Sequence, residues 1–222
     1  MENEFERIKR LPPYVFSEVN SLKAKLRSAG KDIIDFGMGN PDMPTPEHIR
    51  RKLQETVDKP GTGRYSSSKG IPGLRKAQAK YYKRRFNVSL DPENEVIVTL
   101  GSKEGLANLA QAITSPGDII LTPNPSYPIH PYGFIIAGAS LRHLTAMDEG
   151  IFNQELFLEK LDRSIRHSVP SPKAIIVSFP SNPTAQIVDL GFYEEVVKIG
   201  IKYNIYILSD LAYAEIYYDN NP

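Results

Sequence analysis

The sequence predicts an α/β fold: a mostly parallel sheet with helices on both faces, arranged as three α-β-α layers. Three observations predict it. From residue 95 onward short apolar runs alternate with segments of helical period. The runs are near-continuous in Ile, Leu and Val, as strands covered on both faces require. Pro and Gly punctuate the junctions between them.

In chain order, residues 1–45 read as an arm with turn signals, LPPY and then GMGNPDMPTP. A helix is expected from Thr45-Pro46, with Thr45 as N-cap and Pro46 at the first helical position. GTGRYSSSKGIPG reads as a loop. Pro72 opens a second helix, with Leu74, Ala77 and Tyr81 on one face. EVIVTLG then reads as a strand, SKEGLANLAQAI as a helix and IILTPNPS as a strand. PIHPYGFIIAG opens with Pro and ends with Gly, as helices do. SLRHLT is a strand, NQELFLEKLDRS a helix, AIIVSF a strand, GFYEEVVKIGIKYN a helix and IYILSD a strand. No internal repeat, low-complexity tract or linker interrupts the order.

Composition narrows the function. The 222 residues include no Cys, which excludes disulfides, zinc-thiolate sites, iron–sulfur clusters and Cys nucleophiles. The same absence fits a cytoplasmic protein. MENEFERIKRL has no apolar core of the kind a secretory signal needs. The longest apolar stretch, around FIIAGA, is far short of the ~20 residues that span a bilayer. His48, His130, His143 and His167 stand far apart without ligand spacing, so they are expected at the surface or in loops, with no metal. The net charge of +1 is unevenly spread: residues 50–90 hold 12 basic and 2 acidic residues. No groove-reading motif accompanies that block, so nucleic acid is not expected as a partner. A solvated helix face around AKYYKRRF accounts for it, as does a positive field near an anionic cofactor or substrate.

Chemistry gathers at the ends of the expected strands. Asn182 follows AIIVSF, and Asp210 and Tyr213 follow IYIL, at the carboxyl ends where open α/β sheets bind ligands. An Asn, an Asp and a Tyr so placed suit a pyridoxal phosphate ring. A carboxylate against a pyridine nitrogen keeps that nitrogen protonated, and a protonated ring is the better electron sink. The turn GSKEG places Ser102 and Lys103 at a helix N-terminus, which suits a phosphate. It is neither the Gly-x-Gly-x-x-Gly fingerprint nor the Gly-Lys-Ser/Thr loop. A first-turn lysine opposes the helix dipole, so Lys103 is read as serving through its backbone and charge. Tyr127 in NPSYP can lie on a flat cofactor or cover the sheet edge. Taken singly, Asn182 also reads as a turn residue before Pro, and Asp210 as a helix N-cap.

GMGNPD, RYSSSKGIPGLR, GSKEGL, NPSYPIH, SFPSNPTAQ and SDLAY together resemble the class I, fold type I, pyridoxal-phosphate aminotransferases. GSKEGL and NPSYPIH most resemble the bacterial alanine and LL-diaminopimelate branch. The resemblance covers essentially the whole chain. It implies pyridoxal 5'-phosphate as cofactor, and amino-group transfer between an amino acid and a 2-oxo acid. Ser102 and Lys103 would hold the phosphate, Tyr127 would stack on the ring, Asn182 and Tyr213 would bind the phenolate oxygen, and Asp210 would pair with the ring nitrogen. Tyr65 would reach the phosphate of a neighbouring subunit in a homodimer. Tyr14 and Gly39 would touch the substrate. Residues 1–45 would be an arm contributing to a small domain, and 46–222 a cofactor-binding large domain.

One departure stands against the match. The family's Schiff-base lysine lies in a Ser-x-x-Lys segment beyond the Asp-x-x-Tyr strand, and the sequence reaches Pro222 before it. The expectation is an incomplete large domain, inactive by itself, with no catalytic residue assigned and a C-terminal complementing chain as the alternative partner. The resemblance implies that two strands of the family sheet, between EVIVTLG and IYILSD, are expected to belong to that same segment. EVIVTLG is then expected to lack a partner and IYILSD to be an exposed edge. A non-catalytic or split-partner remnant and a pyridoxal-phosphate-dependent lyase on the same fold are the competing readings.

Overall fold

A computed structural model of the chain describes residues 5–37, 39 and 41–218. Met38 and Asn40 of the GMGNPD segment, and the terminal residues 1–4 and 219–222, lie outside the described residues. In chain order the elements are α1 (Glu6–Lys9), α2 (Val15–Ser28), α3 (Glu47–Val57), α4 (Pro72–Phe86), α5 (Ser102–Ile113), β1 (Ile119–Pro123), α6 (Ile129–Ala137) and β2 (Ser140–Leu144). They continue with β3 (Met147–Asp148), β4 (Ile151–Phe152), α7 (Gln154–Arg166), β5 (Ala174–Val177), α8 (Leu190–Tyr203) and β6 (Tyr206–Ser209). Two compact units form: Met1–Leu11 with Thr99–Pro222, and Pro12–Val98.

The larger unit is the three-layer α/β sandwich. Its four-stranded sheet has the order β2-β1-β5-β6, and every pairing in it is parallel. Side chains alternate across each strand, so one strand serves two cores. Ile119, Leu121, Ile175 and Val177 face a core with Phe157, Leu161 and Ile165 of α7 and Phe192 and Val196 of α8. Ile120, Ala174 and Ile176 face the other core, with Ala110 of α5 and Phe134 and Ala137 of α6. Each fully buried Ile, Leu or Phe contributes about 1.5–3 kcal/mol. The antiparallel pair β3–β4 brings Phe152 onto the first core, its ring 4.9 Å from that of Phe179.

Several boundaries follow local chemistry. Pro72 occupies the first turn of α4, and Asn87 ends that helix in the left-handed region at φ 56°. Asn153 and Asp189 cap α7 and α8 by accepting the Leu156 and Phe192 backbone N–H groups.

Three expectations are corrected. The helix after Pro46 begins at Glu47, with Pro46 itself in the cap position and Thr45 outside it; an extended Pro (ψ 139°) postpones the first helical residue by one. The arm carries a 14-residue helix, α2, where the flanking turn signals alone were read. The short antiparallel β3–β4 pair falls between SLRHLT and NQELFLEKLDRS, a stretch with no expected element. Residues 96–99 of EVIVTLG form no strand, since a strand exists only with a ladder partner. In the smaller unit the Val98 N–H donates instead to the Lys69 carbonyl, at 3.1 Å, and Ile97 is 66% exposed. The expectation that this run would lack a sheet partner matches that geometry. β6 ends the sheet as expected, with Tyr206 on it exposed.

Candidate cofactor-binding site

The strand order sets the location. From β1 the chain passes through α6 to β2, then returns through α7 on the opposite face to β5, on the other side of β1. The topological switch point thus lies between β1 and β5, and ligands bind outside the carboxyl ends of strands at such a point. A cleft opens there. Asn124, Ser126 and His130 line it from beyond β1, Ser178, Ser181 and Asn182 from beyond β5, and Met147 and Phe152 from the β3–β4 pair.

Each loop is held by its own hydrogen bonds. After β1, the Asn124 N–H donates to the Leu144 carbonyl at 3.2 Å, and the buried Thr122 hydroxyl lies 3.4 Å from that of Ser126. After β5, the Ala185 N–H donates to the Ser181 carbonyl at 2.8 Å and the Ser181 N–H to the Gln186 carbonyl at 2.9 Å. The Ser181 and Thr184 hydroxyls bond at 2.6 Å. Gln186 Oε1 accepts the Phe152 N–H at 3.0 Å, tying the turn that carries Asn182 to β4. After β6, the Asp210 N–H donates to the Val177 carbonyl at 2.9 Å, continuing the β5–β6 register by one residue.

The structure brings the expected residues together in two groups. His130 Nε2 donates to Asp210 Oδ2 at 3.0 Å, with side chains only 2% and 8% exposed. The Ala212 N–H donates to Asp210 Oδ1 at 3.1 Å. The bond from His130 holds the Asp210 carboxyl below the usual carboxylate range; burial opposes that, and the imidazole charge and the Ala212 N–H reinforce it. Tyr127 meets the His130 ring edge-on at 6.1 Å, and Lys103 Nζ lies 5.2 Å from the centre of the Tyr127 ring. In the second group, Asn182 Nδ2 donates to the Tyr213 hydroxyl at 3.1 Å. Ser102 and Lys103 are the first two residues of α5, after Gly101 at φ 88°. No helix follows Asp210 among the described residues, so its carboxylate is not a helix cap.

The remaining expected residues lie in the smaller unit. Tyr14 precedes α2 and is about half exposed. Tyr65 is wholly exposed, and Gly39 is exposed with open space where a Cβ would stand.

His130 is the residue the sequence reading missed. It was expected at the surface, yet it is buried. The available signal was its place three residues after Tyr127, in the first turn of the helix that follows the loop after an apolar strand. Among the described residues no group of His, Asp and Glu is arranged to hold a metal ion. None of the described helices is long and apolar enough to cross a membrane.

The family model for class I and II aminotransferases matches residues 31–221. AatC of Rhizobium meliloti strain 1021, named as an aminotransferase, is 58% identical over 219 residues, covering 99% of this chain and 53% of its own. The glutamate-pyruvate aminotransferase AlaC of Escherichia coli K12 is 52% identical over 218 residues, covering 98% of this chain and 52% of its own. A solved structure of a Thermus thermophilus aspartate aminotransferase mutant superposes with a TM-score of 0.88 at 29% identity, covering 100% of this chain and 56% of that one. The chain thus spans about half the length of the curated relatives it matches.

Proposed function

We propose, from the premise that this chain belongs to the class I and II aminotransferase family, that its 99–222 unit holds pyridoxal 5'-phosphate and serves amino-group transfer between an amino acid and a 2-oxo acid. The family is pyridoxal-phosphate-dependent and has the fold type I architecture. One observation carries the reading: a buried, ionised carboxylate, Asp210, held by His130 at the carboxyl end of β6 beside the switch point.

The donor set fits the group. Asp210 would face the ring nitrogen, and its carboxylate favours the protonated form there. His130 keeps that carboxylate ionised and aimed, so no reorganisation is needed when charge develops. The Asn182 amide and Tyr213 hydroxyl, already paired, would donate toward the phenolate oxygen. The N-terminus of α5 at Ser102 and Lys103 would take the phosphate through backbone N–H groups and the helix dipole. Tyr127 would cover one ring face. When bound, the cofactor supplies an electron sink for the carbanion left by Cα-proton removal.

Tyr65 is proposed to act on the phosphate of a second copy in a homodimer, and Tyr14 and Gly39 to contact substrate. Residues 1–45 are proposed as the arm that joins a small domain, and 46–222 as large-domain sequence. The name of the AlaC relative favours alanine and glutamate as amino donors, with pyruvate and 2-oxoglutarate as acceptors. A cytoplasmic location fits the Cys-free composition.

The test is titration with pyridoxal phosphate, followed by cofactor absorbance, on the chain and on its Asp210→Ala variant. Alanine to 2-oxoglutarate transfer is then assayed on the native polypeptide that carries these residues. Saturable binding weakened by the substitution, with transfer in the native polypeptide, supports the reading. Absence of binding, or equal binding by the variant, overturns it.

A further inference from the structure

In the 12–98 unit, Arg75 in the first turn of α4 is a buried charge, 4% exposed. A buried guanidinium is costly unless its donors are satisfied. Here Nη1 donates to the Gly70 carbonyl at 2.5 Å, Nε to the Pro92 carbonyl at 2.8 Å and Nη2 to Glu93 Oε2 at 2.6 Å. One side chain thus clamps two separate segments, the end of the 65–70 loop and the 92–93 turn. The same base is stitched elsewhere. The Val98 N–H reaches the Lys69 carbonyl at 3.1 Å, the Gly70 N–H reaches the Ser67 carbonyl at 2.9 Å, and Lys69 Nζ reaches the Glu93 carbonyl at 3.3 Å. The Cβ of Val98 lies 2.4 Å from where a Cβ on Gly70 would stand. Above this fixed base, Tyr65 and Ser66–Ser68 are exposed, within the stretch of residues 50–90 that carries 12 basic and 2 acidic residues.

We infer that Arg75 is a positioning residue: it fixes the base of the 65–70 loop so that the exposed Tyr65 hydroxyl stands ready for an anionic group carried by a second copy of the chain. The inference rests on the proposed function both for the second copy and for the identity of the anion, a phosphate monoester. A loop held at its base meets such a group at a smaller ordering cost than one free at both ends. Lysine cannot replace the clamp, because a single ammonium does not span three acceptors set around a planar fork.

The experiment compares wild type, Arg75→Lys, Tyr65→Phe and the double variant. Two measurements are made: amide hydrogen exchange across residues 64–70, and the affinity for pyridoxal phosphate relative to phosphate-free pyridoxal. Arg75→Lys is expected to speed exchange in the loop and to lower the preference for the phosphorylated form about tenfold, the scale of one hydrogen bond to a charged group. In the double variant the Tyr65→Phe loss adds nothing further, since both changes remove one contact. Glu93→Gln, which leaves both backbone carbonyls in place, is the milder variant and should show a smaller change of the same sign. Unchanged exchange in folded Arg75→Lys, or additive losses, overturns the inference. Wild-type protein that binds neither compound overturns the cofactor reading, while the exchange result still decides the role of Arg75 in the loop.

Discussion

His130 Nε2 and Asp210 Oδ2 lie 3.0 Å apart across 80 residues of sequence. One enters from the first turn of α6, beyond β1, the other from the end of β6, two strands away. Each satisfies the other in a place from which water is nearly excluded. A half-satisfied polar pair there would cost more than an apolar one.

That pair should make stability depend on acid. A carboxyl lowered in the folded state binds fewer protons folded than unfolded. Its contribution is therefore complete above its ordinary value of 3.8 and is lost as pH falls through that value toward the folded one. Urea unfolding of wild type and Asp210→Asn from about pH 6 down to about pH 2 should give a stability difference that shrinks as pH falls. A difference that grows toward low pH would contradict the assignment.

His130→Ala should cost about 1–3 kcal/mol, because it strands a buried carboxylate. His130→Gln, whose amide can still donate, should cost less. Thermal unfolding of the two variants gives the order, and equal losses would show that the hydrogen bond matters less than the imidazole's volume.

Asp210→Asn keeps size and removes charge. On the proposed reading, cofactor still binds, since the α5 terminus, Asn182 and Tyr213 are untouched. Amino-group transfer by the native polypeptide should fall at least about a hundredfold, equivalent to about 2.7 kcal/mol of lost transition-state stabilisation. Near-normal turnover would rule out a charge role for Asp210.

The Asn182–Tyr213 bond is solvent-accessible, with Tyr213 36% exposed. Tyr213→Phe should thus change stability by no more than about 1 kcal/mol. Its effect should be seen in cofactor affinity, lowered several-fold, with Asn182→Ala and the double variant losing less than the sum. Strict additivity would mean that the two side chains act separately.

Gly70→Ala should destabilise the 12–98 unit by about 1–3 kcal/mol. Gly70 has φ +85°, and the new methyl would sit 2.4 Å from Val98 Cβ, which is fixed to its own backbone. Gly39→Ala, with open space at the same test, serves as the control. Equal stability of the two variants would show that the loop yields.

The sequence alone determined α5 to α8, the four strands of the parallel sheet and the side chains offered at their ends. Helical period, Gly and Pro punctuation and continuous apolar runs are local signals, and they placed α5 over Ser102–Ile113 and the ends of β5 and β6 just ahead of Asn182 and Asp210. Where a feature depends on distant chain, local signals failed or were silent. The apolar residues 96–99 have strand composition but no ladder, because pairing is a property of two segments. The order β2-β1-β5-β6, which creates the cleft between β1 and β5, follows from crossovers on opposite faces and not from any one run. Only the tertiary structure could bury His130 and turn it toward Asp210. A lone imidazole carries the same composition signal at a surface as in a core, and what separates the two is a carboxylate delivered 80 residues later.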